Sequence, residues 1–366
     1  MRVLVLATAY PKPNGECPLM FVHTRNLEYV KLGLDVTVIN FACASEYRID
    51  GINVKTAASL DDQYVGDFDL VICHAPNIRQ HYRFCIRFNS SIKKLVFFAH
   101  GHEFLQVNKY YPEAFPFVTR DRAKDAVRPV YDKVKLALWR HYFRTHSGKV
   151  TLVFVSNWMK DAFWENVLAK YNGSKIASEV IPNSVGRVFL DEAWNANSVK
   201  DFDFITIRSS FDSKKYCVDL VAEAARENPT LTFLLIGRGE YFEHYEKPDN
   251  LIIVNRTMDH AELLSYVDRS RCALMPTRQD TQGVMSCELA TYGIPLVTSD
   301  ISICREVLSK FNSVAFVSNA CLAKELPTVF DGLKKTPTQK NREYSVENTV
   351  HIEIALFERM IENRIG

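Results

Sequence analysis

The 366 residues lack the motifs that announce the commonest nucleotide and metal chemistries. No GxGxxG follows the first apolar run; the loop there reads AYPKPNGECP, and GRG at 237–239 stops short of the pattern. A nicotinamide or flavin dinucleotide site is thereby disfavoured, because its turn, pyrophosphate approach and helix packing each need a glycine. A Walker A loop and an HExxH helix are absent, and His and Cys show no metal-ligand spacing, so no metal is expected. The nine cysteines form no CxxC pair and several lie inside apolar runs. They read as reduced thiols acting as small core side chains. A formal net charge of only +2 gives no reason to expect nucleic acid. No uninterrupted apolar segment approaches the roughly 18 residues of a membrane span. The apolar run in MRVLVLATAYP is too short for a signal peptide and reads as a buried strand. The expected location is cytoplasmic, with peripheral attachment to the inner membrane face left open.

What is present is a regular alternation. Short runs rich in Val, Ile and Phe recur at 3–8, 35–41, 52–57, 69–74, 94–100, 151–156 and 178–183. They recur again at 202–209, 231–237, 250–255, 272–277, 294–299 and 314–318. Helix-like stretches separate many of them, as MFVHTRNLEYVKLG follows the first. Continuous apolar strands alternating with helices predict α/β architecture with parallel sheets buried on both faces. The length and the polar stretch GRVFLDEAWNANSVKD predict two doubly wound domains, 1–185 and 201–345, joined by a linker at 186–200. An amphipathic helix is expected over 346–366. In such sheets ligands sit beyond the strand carboxyl ends, which points to the cleft between the domains.

One stretch concentrates chemistry: MPTRQDTQGVMSCELATYGIPLVTSD, 275–300. A strand breaks into a polar loop and then a nearly chargeless helix, with Asp280 and Glu288 on either side of Gly283. Gly283 permits close backbone approach, and the helix start at Val284 and Met285 offers free N–H groups and a positive dipole end to an anion. Acids beside an anion site are tolerable when they face its neutral parts, such as the hydroxyls of a sugar and a ribose. The alternative is a loop acid and a solvated helix acid.

This stretch resembles the donor-binding signature of the retaining family-4 glycosyltransferases, which have the GT-B fold. The resemblance implies that Asp280 binds donor-sugar hydroxyls and Glu288 the ribose. Asp280 stands where the family has Glu, and Gln282 where it has an aromatic residue. The family also has an Arg at a strand end followed by a Lys, both holding the donor diphosphate. ITIRSSFDSKKYCVDLVAEAA supplies Arg208 and either Lys214 or Lys215, with Ile207 in place of the usual Gly. In LVFFAHGHEFL the resemblance places His100 beside the donor sugar, with His102 and Glu103 following. VFVSNWMKDAF and VIPNSV match architectural hallmarks, Ser184 replacing a Gly. Gly15 falls where the family has glycines near the phosphates, although Asn-Gly is also an ordinary turn.

The resemblance implies two Rossmann-like domains facing across a cleft, with the C-terminal helix able to cross back to the first. It also implies metal-independent retaining transfer, from a nucleotide diphosphate-sugar that is substrate rather than cofactor, onto a hydroxyl of a surface or lipid-linked glycan. Two basic stretches bear on the acceptor. NIRQHYRFCIRFNSSIKK presents Arg79, Arg83 and Arg87, and 119–149 carries nine Lys or Arg against three Asp. They suit an anionic membrane surface if they form a face, and are ordinary solvated helices otherwise. A nucleotide-sugar epimerase and a non-catalytic nucleotide-sugar-binding module are the alternative readings.

Overall fold

The computed structural model describes residues 1–15, 18–119, 122–168 and 176–362, with the backbone alone at 122–125. Cys17 and parts of the basic stretch 119–149 lie outside the described residues. Two compact units result. One comprises Met1–Val107, Val127–Ser184 and the chain from Val346; the other comprises Asn108–Ala126 and Val185–Ser345.

The first unit carries an eight-stranded sheet in the order β3-β4-β2-β1-β5-β6-β7-β8. Its strands are β1 (Arg2–Ala7), β2 (Asp35–Asn40), β3 (Tyr47–Ile49), β4 (Ile52–Lys55), β5 (Leu70–His74), β6 (Leu95–Ala99), β7 (Val150–Phe154) and β8 (Ala177–Val180). All pairs are parallel except β3–β4, a hairpin closed by the two-residue turn Asp50–Gly51. That hairpin adds an edge strand that the apolar pattern does not announce, because YRI is too short and too polar to register. Side chains of β1 from Val3 to Ala7 are all buried, as a central parallel strand requires.

Helices that bear on the site are α1 (Met20–Lys31), α2 (Arg122–Thr145), α3 (Arg187–Asp191), α4 (Val218–Glu227), α5 (Val284–Tyr292) and α6 (Val350–Glu362). The C-terminal helix α6 belongs to the first unit, where Val350, Leu356 and Phe357 join Val22 and Tyr29 of α1 over β1 and β2. A buried polar cluster ties the two helices. Glu353 accepts two bonds of 2.9 Å from Arg25 Nε and one from the Tyr29 hydroxyl, while Arg25 also donates to Asn183 Oδ1 at 3.2 Å.

The second unit has an all-parallel six-stranded sheet, β11-β10-β9-β12-β13-β14. Its strands are β9 (Phe202–Ile207), β10 (Phe233–Gly237), β11 (Leu251–Asn255), β12 (Ser270–Met275), β13 (Leu296–Ser299) and β14 (Val314–Val317). Counted within the unit, this is the order 3-2-1-4-5-6 of doubly wound nucleotide-binding sheets. The order reverses direction between β9 and β12, which opens a crevice beyond their carboxyl ends.

Two boundaries differ from the sequence expectation. Residues 108–126 group with the second unit, because Phe115 is buried in that unit's core, with ring centroids 5.0 Å from Tyr241 and 5.7 Å from Phe117. The segment 186–200, expected as a linker, is also part of the second unit. There α3 buries Phe189 and Leu190, and Trp194 donates its indole N–H to the Ser270 carbonyl. Its few apolar residues are anchors, and their spacing is too short to show a period.

Candidate functional site

At the switch point of the second unit lies a cavity of about 220 Å³, lined by Ile207, Arg208, Ser209, Lys215, Tyr216, Asp280, Gly283, Val284, Met285 and Ser286. The loop leaving β9 supplies the first part and the loop leaving β12 the second. The volume is below the roughly 300–1,000 Å³ of a whole small-molecule site. It suits one polar portion of a larger ligand.

Arg208 directly follows β9 and is 7% exposed. One guanidinium nitrogen donates to the Pro276 carbonyl at 2.5 Å, and Nε finds no partner among the described residues. A buried charged donor left unpaired costs more than the usual 1–3 kcal/mol of an unsatisfied group. Burial depresses the Arg208 pKa, while Cys217 and Asp280 oppose that shift. Guanidinium groups remain cationic under such shifts, so Arg208 brings a fixed positive charge to the cavity wall.

Gly237 makes this placement possible and escaped the sequence reading, which saw GRG only as an incomplete dinucleotide motif. A Cβ on Gly237 would fall 1.9 Å from the Arg208 carbonyl oxygen and 2.8 Å from the Phe211 ring. Any side chain there must push the Arg208 loop off the end of β10.

The turn Lys214–Tyr216 sends its two lysines to different surroundings. Lys215 points into the cavity, with Nζ 3.7 Å from Asp280 Oδ1 and 5.2 Å from the Tyr216 ring centre. Lys214 does not line the cavity; its ammonium lies 5.9 Å from the Phe115 ring centre.

The opposite wall is the start of α5. Gly283 precedes the helix at φ 71° and ψ 56°, a left-handed conformation costly for any other residue. Val284 and Met285 stand at the first turn, whose N–H groups have no carbonyl four residues back to bond. Asp280 is held by the Thr281 N–H donating to Oδ1 at 2.8 Å. The cavity thus combines two side-chain cations, a helix N-terminus and one carboxylate.

Glu288 lies one turn further along α5 and does not line the cavity. It is buried, accepts the Gly186 N–H at 3.1 Å, and burial pushes its carboxyl pKa up to about 7, the Gly186 bond pulling the other way. Gln282, where the resemblance has an aromatic residue, is buried.

The remaining candidates sit in the first unit. His100 follows β6, and its Nε2 is 3.0 Å from Nδ1 of His74 at the end of the neighbouring β5. Burial and then the Arg25 charge hold the His100 pKa well below its ordinary value; the same causes, then His100 itself, act on His74. His74 is a partner that sequence reading missed, since a strand-end His next to another strand-end His is visible only once β5 and β6 pair. Glu103 is buried and accepts the His100 N–H at 2.5 Å, whereas the His102 side chain is 75% exposed. Gly15 sits in a surface turn, its N–H on the Lys12 carbonyl, with no atom near enough to touch an added Cβ.

The two basic stretches resolve into core and surface. Phe84 and Phe88 are core residues, with Arg79, Arg83 and Arg87 exposed. In α2, Trp139, Tyr142 and Phe143 are buried, and Lys135 is buried against Asp132 and the carbonyls of His102 and Leu105. The opposite face exposes Val127, Val130, Tyr131 and Val134, spaced as one helical stripe. Among the described residues no helix is long and apolar enough to cross a membrane.

Residues 208–326 match the family model described as Glycosyl transferases group 1. No curated protein sequence matches the chain. The structure is similar to sucrose-phosphate synthase from Thermosynechococcus elongatus, at 11% identity, 99% coverage of each chain and a TM-score of 0.71. It is similar to Anabaena HepE in complex with UDP and glucose, at 13% identity, 97% and 98% coverage and a TM-score of 0.68. It is also similar to the trehalose-6-phosphate protein from E. coli bound with UDP-2-fluoro glucose, at 12% identity, 99% and 96% coverage and a TM-score of 0.57. The two parallel-sheet units are those of the GT-B fold.

Proposed function

Starting from a GT-B chain whose residues 208–326 match the group 1 glycosyl transferases, we propose that this protein is a retaining glycosyltransferase using a nucleotide diphosphate-sugar. The observation that carries the reading is the convergence of Arg208, Lys215, Asp280 and the start of α5 on one cavity. Two cations and a helix N-terminus outweigh a single carboxylate, so the site selects a multiply charged anion of diphosphate size.

In this reading the diphosphate lies against Arg208, Lys215 and the N–H groups of Val284 and Met285. Its charge grows as the glycosidic bond breaks, and donors already in place stabilise that charge without reorganisation and without a metal. Asp280 accepts hydroxyl protons of the sugar. Glu288 takes the ribose hydroxyls, and His100 keeps the sugar-orienting role that the family resemblance implies. No side chain lining the cavity is a convincing nucleophile for the anomeric carbon. Departure and attack therefore occur on one face, through a short-lived oxocarbenium ion pair, and the leaving phosphate takes the proton of the acceptor hydroxyl. The acceptor is a surface or lipid-linked glycan, met at the cytoplasmic face of an anionic membrane.

A thermal-shift and hydrolysis screen over UDP-, GDP- and other nucleotide sugars tests the proposal. One donor is expected to raise the melting temperature and to be slowly hydrolysed. Stabilisation with no turnover against any acceptor indicates a binding module instead. Conversion of the sugar without acceptor indicates an epimerase, and no stabilisation by any donor overturns the nucleotide-sugar reading.

A further inference from the structure

Lys215 sits in the short turn Lys214–Tyr216, and a lysine side chain has four rotatable bonds with which to sample many directions. Hydrogen bonds and an ion pair from Arg278 of the β12 exit loop fix the backbone of that turn and so the point from which the side chain departs. The Arg278 N–H donates to the Lys215 carbonyl at 3.0 Å, while the Thr277 hydroxyl, 3.2 Å from that carbonyl, lies closer to the Gln279 carbonyl at 2.9 Å. The Arg278 guanidinium then reaches across the turn. Nη1 donates to the Lys214 carbonyl at 2.8 Å and to Asp219 Oδ1 at 2.8 Å, while Nη2 donates to Asp219 Oδ2 at 2.7 Å. Asp219 stands in the first turn of α4, directly after the lysine turn. Between them Cys217 adopts φ 57° and ψ 33°, a left-handed conformation that a non-glycine residue holds only when its surroundings impose it.

Arg278 does not line the cavity. Its backbone nevertheless belongs to the wall that carries Asp280, and its side chain clamps the wall that carries Lys215. We infer that Arg278, paired with Asp219, is a positioning residue that aims Lys215 at the donor diphosphate. The inference rests on the proposed function, since it takes the diphosphate as the ligand of the cavity. The planar fork of arginine is required: a lysine at 278 keeps the charge but cannot hold a carboxylate with two parallel bonds while also donating to a carbonyl.

The test uses the full chain and calorimetric binding of UDP, GDP, ADP and dTDP, with the matching nucleosides followed by ligand-detected NMR as phosphate-free controls. For whichever diphosphate the wild type binds, Arg278→Lys is expected to weaken affinity about tenfold and leave the nucleoside unaffected. Asp219→Asn, which keeps one acceptor oxygen, should weaken it about threefold and carries the test if Arg278→Lys fails to fold. Lys215→Met should lose as much as Arg278→Lys or more. Adding Arg278→Lys to Lys215→Met should cost no more than about a further twofold, because the two act through one ammonium. Unchanged diphosphate affinity in both clamp variants, with Lys215→Met weakened, overturns this inference and leaves the proposed function standing. Equal losses for nucleoside and diphosphate, or full additivity in the double variant, indicate a general structural role and also overturn it. A wild type that binds no nucleoside diphosphate, ADP and dTDP included, overturns the inference together with the proposed function.

Discussion

Lys215 Nζ and Asp280 Oδ1 face each other at 3.7 Å across the cavity, with their side chains 20% and 18% exposed. That separation is an ion pair without a tight hydrogen bond, and partial exposure screens it to roughly 0–1 kcal/mol. An arriving diphosphate can therefore claim the ammonium at little cost and leave the carboxylate for a sugar.

This relationship separates two activities. Asp280→Asn is expected to lower sugar transfer or donor hydrolysis at least a hundredfold. Affinity for the bare nucleoside diphosphate should hold or rise up to about fivefold, since a like charge is removed and Lys215 is released. Calorimetry with the diphosphate alongside a turnover assay checks both halves. A parallel fall in diphosphate affinity would assign Asp280 to the phosphates and sink its sugar role.

Glu288 predicts a pH dependence. Burial raises its carboxyl pKa from 4.5 to about 7, so between those values the folded protein holds a proton that the unfolded chain has released. Stability contributed by this group is full below pH 4.5 and declines as pH rises towards 7, the direction required when the native state binds more protons. Glu288→Gln should remove that decline, seen as a flatter difference in unfolding free energy against wild type across pH 4.5–7. Ribose hydroxyls need the ionised carboxylate, so donor affinity should rise through pH 7 in wild type and lose that rise in Glu288→Gln. Identical pH profiles for the two proteins would remove Glu288 from the donor site.

The buried Arg25–Glu353 pair predicts a large and specific instability. Both side chains are almost fully buried, and Glu353 sits on α6 while Arg25 sits on α1. Glu353→Ala leaves Arg25 buried without its carboxylate, at an expected cost of about 3–5 kcal/mol. Glu353→Gln should cost less, because it still offers one acceptor. Denaturant unfolding of both variants measures the difference; a loss under 1 kcal/mol in Glu353→Ala would show that the pair does not anchor the C-terminal helix.

The exposed stripe of α2 predicts membrane association. Val127, Val130, Tyr131 and Val134 are 59%, 63%, 42% and 49% exposed, and Lys133 and Arg144 are exposed on the same helix. Flotation with vesicles containing anionic lipid should carry the protein upward, with weaker binding to neutral vesicles. The pair Val130→Asp and Val134→Asp should abolish flotation without lowering the melting temperature. Failure to float with either vesicle type removes the membrane from the proposal.

Legibility in the sequence followed range. The continuous apolar strands are visible because each is a local run, and among the described residues thirteen of the fourteen strands coincide with one. The fourteenth, Tyr47–Ile49, is visible only through its pairing with β4. Arg208, Asp280 and Gly283 stand out because a charge or a glycine at a strand end is a local feature. Gly237 and His74 do not: one matters for an oxygen 29 residues earlier in the chain, the other for a ring on a neighbouring strand.

By itself the sequence determined the α/β class, the near position of the strands other than Tyr47–Ile49, and a loop where acids flank a glycine at a helix start. These follow from side-chain hydrophobicity and backbone preference over a few residues. Only the tertiary structure decided that Lys215 and not Lys214 enters the cavity, that residues 108–126 serve the second unit, and that α6 completes the first. Each depends on contacts between residues far apart in the chain, from Arg278 on the lysine turn to Glu353 on Arg25 across 328 positions. Such contacts leave no period in the sequence, because closing a chain into a fold brings together groups that no local pattern relates.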